Sequence, residues 1–344
     1  AADFRIRLAK EITTGINPAV RRYRNYLANE YLPHTRKTLG VSSNPNGAAC
    51  YRASTRYFST LDLPADSVYA LGAREMRKLD DAMHEIARKD FGTDDVRALL
   101  TQFKTDPKYT FRTRQAVIDT SQAAIDRVNA QLPKWFGLKP TFPVIIQPYP
   151  EFRQRAGAPG QLNLGAENDR PSIFLINTWD PEHKSRADIE ATAFHEAIPG
   201  HHLQLSIARS KKDLHPYGQR YFNSGFGEGW ALYAEMLADE MGVYSSPMTR
   251  MGMLGSQAFR AARCLIDAGI HTKGWTREQA IDTLAAHTTM SRNIVEGEVD
   301  PVTGFSVNLG MLDAVLRDVG DDPPAVPAPT PDDLPVESMH YTVA

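Results

Sequence analysis

Apolar and polar residues alternate along this chain with a period that changes twice. From Asn17 the segment PAVRRYRNYLANEYL places Val20, Tyr23, Tyr26 and Leu27 three and four residues apart. That is the period of an amphipathic helix, with Asn17 as its N-cap and Pro18 at its first position. A loop around VSSNPNGAA follows, and the helical period then recurs over Leu63 to Ala87, Thr93 to Phe103 and Thr113 to Leu132. Between Lys139 and Trp179 the period shortens. PVIIQPYP and SIFLINTW are β-branched and aromatic runs bounded by Pro, Gly and Asn, which predicts two strands of a small sheet, serving either as an edge for substrate or as a buried structural hairpin. The intervening RAGAPGQLNLGAEND reads as a loop over a cleft, and a strand edge there could hold an extended peptide through its main chain.

The helical period then returns. It predicts one helix over Ser185 to Ala208, opened by the S-x-x-D pair Ser185 and Asp188, then a helix over EGWALYAE, one over Ser256 to His271, and one over Trp275 to His287. The last is opened by the T-x-x-Q pair Thr276 and Gln279. The expected fold is mainly α with a small β element. Its expected regions are an N-terminal helical part (1–138), a site-bearing part (139–299) and a tail (300–344). Six prolines between Pro323 and Pro335 and few large apolar residues predict a disordered tail.

Composition narrows the class of function. With 344 residues, 42% of them hydrophobic and 23% charged, the chain can bury a large core. The net charge of −2, from 39 basic and 41 acidic residues, offers no field for nucleic acid or a membrane surface. Cys50 and Cys264 form no metal or redox motif. No apolar run approaches the length of a membrane span, and AADFRIRLAKE lacks the apolar stretch of a signal peptide. Both a cytoplasmic location and export after signal removal stay open.

The chemistry concentrates in SRADIEATAFHEAIPGHHLQLSIA, which holds three of the ten histidines. In H-E-x-x-H two imidazoles share one helical face and the glutamate meets a metal-bound water. Here His195 and Glu196 stand in place, but position 199 is proline and the next histidines are His201 and His202. Six residues of ideal helix turn His201 away by about 600°, and seven carry His202 about 10 Å along the axis. A distortion at Pro199-Gly200 is therefore required. Two bulged residues would make His201 the second ligand, and three would make it His202. Glu228, 33 residues beyond His195, is the candidate third ligand, and Glu235, two turns later, could orient an imidazole. His34 and His84 are isolated.

HEAIPGHHLQ, FGEGWALYAEMLADEMG and RAARCLIDAGIHTKGWTREQA resemble the signatures of the DUF885 family, bacterial proteins grouped with the zincin-like metallopeptidases. The similarity runs from about residue 18 to 299. It implies a largely helical zincin-like fold and a zinc-dependent hydrolase of peptide or related amide bonds. Zn²⁺ would be held by His195, His201 and Glu228, and Glu196 would be the general base. The resemblance also raises Arg263, Asp267 and His271, spaced i, i+4, i+8, above a plain surface salt bridge. His271, oriented by Asp267, or His202 would stabilise an oxyanion, and Arg263 would pair a substrate carboxylate. After Glu298-Val299 the chain departs from the family, reading DPVTGFSVNLGML where an R-Y and a P-G-Q-A-like motif are expected. That departure keeps open a non-catalytic relative that binds metal or peptide without turnover. Two histidines and a carboxylate also serve Fe(II) oxygenases, but the glutamate directly after His195 favours hydrolysis.

Overall fold

A computed structural model of the chain describes residues 2–303, except 37, 141, 155–157, 166–169, 216, 218–222, 289 and 291. The proline-rich tail lies outside the described residues. The chain is mainly helical with one three-stranded sheet. Its helices are α1 (Ala2–Glu11), α2 (Asn17–Tyr26), α3 (Gly47–Ser59), α4 (Ala65–Phe91), α5 (Val96–Thr105), α6 (Arg114–Trp135) and the short α7 (Glu151–Gln154). Beyond the sheet come α8 (Ile189–Glu196), α9 (His201–Ser210), α10 (Ser224–Glu240), α11 (Pro247–Lys273), α12 (Arg277–Ala286) and α13 (Arg292–Thr303).

Several helix starts follow from side chains that satisfy the first backbone N–H groups. The side chains of Asp95, Thr113 and Asn223 accept from Ala98, Ala116 and Phe226. Thr276 and Gln279 form the expected reciprocal box, and Ser246 with Thr249 forms another before α11. Asn17 does not cap. Its backbone is helical (φ −62°, ψ −42°), because α1 already runs into α2 through a wide turn at Ile12–Ile16.

Both expected strands form and belong to one small sheet, but not as a hairpin. β1 (Val144–Pro148) and β3 (Ser172–Ile176) pair in parallel, with Val144 opposite Ser172, so they are not a hairpin. Gly160–Asn163, within the expected loop, forms a third strand, β2, antiparallel to β3, and the order is β1-β3-β2. A direct β1-to-β3 turn could only join antiparallel neighbours, so the long connection is what permits parallel pairing.

Two apolar clusters hold these elements. In one, α4 and α5 pack on α11 and α12 through Met83, Leu100, Phe103, Met251, Ile266 and Leu284. A Cβ on Gly72 of α4 would fall 2.8 Å from the Ala261 carbonyl oxygen, so glycine there permits the close helix crossing. The other cluster joins α6, the sheet, α8 and α10 through Val128, Phe174, Ile176, Phe194 and Leu237. α8 lies between the two clusters, and its polar residues are fixed from several sides. Glu190, buried, takes Arg127 Nη2 at 2.5 Å and the Ser245 N–H at 2.9 Å.

Candidate metal centre

The helix expected over Ser185 to Ala208 is two helices. Ser185 bonds its Oγ to the Ala187 N–H and pairs as a bridge with Thr110, and Asp188 precedes α8 without a side-chain cap bond. α8 ends at Glu196, a tight turn occupies residues 197–200, and α9 restarts at His201. The distortion at Pro199-Gly200 is thus a break and not a bulge. Pro199 has no N–H to give the preceding turn, the Ile198–Pro199 peptide is cis, and a Cβ on Gly200 would lie 1.8 Å from the His195 carbonyl oxygen. The turn is pinned from outside by Trp230, whose Nε1–H donates to the Pro199 carbonyl at 2.9 Å.

This fold-back brings His201 to His195, their rings edge to face with centroids 4.9 Å apart. Glu228, in the second turn of α10, faces both: Oε2 is 3.4 Å from His195 Nε2 and Oε1 is 3.7 Å from His201 Nε2. One donor atom from each of His195, His201 and Glu228 lies within 4.8 Å of the others. Two imidazoles and a carboxylate converging this closely suit a divalent ion of zinc's type, which takes nitrogen and oxygen donors and leaves a position for water.

Glu235, fully buried two turns further along α10, accepts from His195 Nδ1–H at 2.8 Å. This bond fixes the ring's tautomer and leaves Nε2 facing Glu228. The other Glu235 oxygen accepts from Gln257 Nε2 at 3.1 Å. Burial alone would depress His195, but its bonds to Glu228 and Glu235 outweigh that and lift it to about 9. Burial would raise Glu228, yet the two imidazoles hold it far below the usual carboxylate range. Glu196 lies at the end of α8 beside the cluster, and its Oε2 accepts from the Leu162 N–H of β2 at 2.8 Å. A Cβ on Gly160 would meet Thr192 and Phe174 at 2.8 Å and Glu196 Cγ at 3.3 Å, so β2 runs close against α8. Burial and the nearby Glu196 charge both push up the Tyr149 phenol.

The remaining expected residues point elsewhere. His202 is fully buried against Phe142, donating from Nε2 to the Phe142 carbonyl at 3.0 Å, and burial lowers it to about 4. It is placed neither to ligate with His195 nor to meet an oxyanion there. His271 accepts from the Val41 N–H at 2.9 Å through Nδ1, and Asp267 takes the Tyr51 hydroxyl at 2.6 Å. Eleven residues of helix, about 16 Å, separate His271 from Arg260, which touches His195. His271 therefore belongs to a buried network under the loop near Val41. Arg263 does not pair with Asp267; it bonds Glu298 and lies over the Phe259 ring. Sequence reasoning missed Arg260, one turn before Cys264, whose Nη2 is 3.4 Å from His195 Nδ1. It also missed Gln257, three residues earlier on the same face. Spacing from Glu235 could not reveal either, because they lie on another helix.

Fold and site together define a mainly helical protein with a His-His-Glu donor cluster backed by a buried carboxylate. The chain belongs to the DUF885 family, described as bacterial protein of unknown function, whose model matches residues 1–307. Among solved structures it is similar to a "putative lipoprotein" from Colwellia psychrerythraea, at 24% identity and a TM-score of 0.77, covering 84% of this chain and 51% of that one. A "putative lipoprotein of unknown function" from Shewanella oneidensis matches at 16% identity and a TM-score of 0.65, covering 86% of this chain and 55% of that one. The chain thus spans about half the length of these relatives. No curated protein matches it. No described helix is long and apolar enough to cross a membrane.

Proposed function

We propose that this chain is a zinc-dependent hydrolase of peptide or related amide bonds, with a zincin-like site. The observation that carries this reading is the convergence of His195, His201 and Glu228 within 4.8 Å, with Glu196 directly after the first histidine. Zinc, when bound, would lower the pKa of a water from 15.7 toward about 7 and polarise the scissile carbonyl. His195 and His201 would each give the zinc one Nε2 atom, with loss of the proton that His195 otherwise shares with Glu228, and Glu228 would give a carboxylate oxygen. Glu235 holds His195 in the tautomer that presents Nε2. Glu196, oriented by the Leu162 N–H, takes the proton of the attacking water and returns it to the leaving amine.

A second reading is a relative that binds metal or peptide without turnover. It is favoured by His202, His271 and Arg263, which are all engaged by protein partners away from the cluster. Elemental analysis of the purified protein beside His195→Ala and Glu196→Gln tests the site. About one zinc per chain, lost in the first variant and kept in the second, supports it. No zinc after reconstitution would sink the hydrolase reading, and zinc without turnover of a peptide library would leave the second.

A further inference from the structure

Among the described residues, Arg260 differs from several other arginines in having no close carboxylate partner. Arg127 is bonded to Glu190, Arg250 to Asp239, Arg277 to Asp300 and Arg263 to Glu298, each within hydrogen-bond reach. The Arg260 side chain is 24% exposed, yet its nearest carboxylate oxygen among the described residues, Glu235 Oε1, lies 3.8 Å away. That oxygen already takes the His195 Nδ1 proton at 2.8 Å. Because Nδ1 carries that proton, it has no lone pair for Arg260 Nη2, which sits 3.4 Å from it. The described bonds of the guanidinium are Nη1 to the Ser256 hydroxyl at 2.5 Å and the Ser256 carbonyl at 3.3 Å, and its carbon lies 5.3 Å from the Phe259 ring centroid, a contact that uses none of its hydrogens. Nε–H and the Nη2 hydrogens are therefore poorly satisfied, beside the donor cluster, on a cation that has given up most of its water. A planar fork in that condition matches a carboxylate.

We infer that Arg260 binds the free terminal carboxylate of a short peptide, making the C-terminal end of its substrate the part recognised. This rests on the peptide-hydrolase reading above and narrows its substrate class. Arg260 Nη2 lies 3.4 Å from His195 Nδ1, across the ring from the Nε2 that faces Glu228. One or two residues of extended chain, at about 3.4 Å each, span such a gap. The scissile bond would thus lie near the C-terminus, and release of one or two C-terminal residues is the reaction this placement favours.

The test compares ligands that differ only in that charge. Binding of trialanine and trialanine amide to zinc-reconstituted Glu196→Gln protein is measured by calorimetry. The pair 3-phenylpropionate and 3-phenylpropionamide, which contain no peptide bond, is measured beside them. Each acid should bind at least about tenfold tighter than its amide. Adding Arg260→Gln should bring acid and amide within about twofold, while Arg260→Lys, which keeps charge but not the fork, should keep part of the preference. Equal binding of acid and amide to protein with Arg260 intact overturns the inference without any variant. A preference that survives Arg260→Gln also overturns it, since Arg260 would then only neutralise Glu235. If the phenylpropionate pair shows the Arg260-dependent preference and neither trialanine form binds, anion capture stands and the peptide reading is what fails.

Discussion

Glu235 has no exposed surface, and its carboxylate lies 2.8 Å from His195 Nδ1, on the side of the ring away from Glu228. A buried carboxylate is costly unless its hydrogen bonds are satisfied, and here the imidazole and Gln257 meet it. Zinc affinity should fall about tenfold in Glu235→Gln and toward 100-fold in Glu235→Ala. Competition with a chelator of known affinity reads this directly. Unchanged affinity in both variants would show that the bond does not tune the ligand.

Metal removal should cost stability in proportion to occupancy. At zinc a thousandfold above its dissociation constant, the loaded protein gains about 4 kcal/mol. Chelation should therefore lower the thermal midpoint of the wild type and of Glu196→Gln alike, and leave that of His195→Ala unmoved. Scanning calorimetry with and without chelator checks it.

Gly200→Ala puts a methyl group against the His195 carbonyl, where backbone cannot yield. The expected loss is at least about 2 kcal/mol, as for other strained backbone sites, together with the approach of His201 to His195. Denaturant unfolding and zinc content should fall together. A stable variant that still binds zinc would mean that the turn relaxes without moving the ligands.

The network of Tyr51, Asp267 and His271 predicts a pH profile. Burial raises Asp267 from 3.8 to about 6, against the Tyr51 bond that lowers it. Between those values the folded state holds a proton that the unfolded state has lost, so stability declines as pH rises through that window. Above about 6 the full deficit is present, up to about 3 kcal/mol. Burial, and Arg36 after it, lower His271 from 6.5 to about 4, so its contribution grows with pH over an overlapping range and offsets the Asp267 slope. Asp267→Asn keeps an acceptor for Tyr51 and removes only the carboxylate contribution. Urea unfolding from pH 4 to 7 should show the variant equal to wild type in acid and more stable at neutrality. Parallel profiles would contradict the assignment.

Much of this was legible from the residues. The period of apolar positions located α4, α5, α6, α11 and α12, and the Thr276 and Gln279 box marked a helix start, because both signals are local. The separation of His195 from Glu228 leaves room for a second helix to return, and the structure does bring them together. What was hidden depended on partners far away in the chain. Helical spacing suggested Arg263 and His271 as active groups, but Glu298 and the Val41 N–H had already claimed them. The break before His201 was visible as a conflict between proline and period, but not its form, because a bulge and a reversal satisfy the same missing bond. β2 escaped because glycine, glutamine and asparagine mask a strand whose pairing β3 supplies.

The Leu162 N–H that orients Glu196 sits on β2, a four-residue strand at one end of the sheet order. Unpaired strand edges invite another chain to add to them, and here a side chain of the site occupies that edge. Glu196 thus covers a main-chain donor that another strand could otherwise pair with, a role separate from the proton transfer proposed for it. Glutamine at 196 keeps an oxygen for the Leu162 N–H, whereas alanine uncovers the edge. A variant made to silence chemistry can in this way alter solubility, and the two replacements separate one effect from the other.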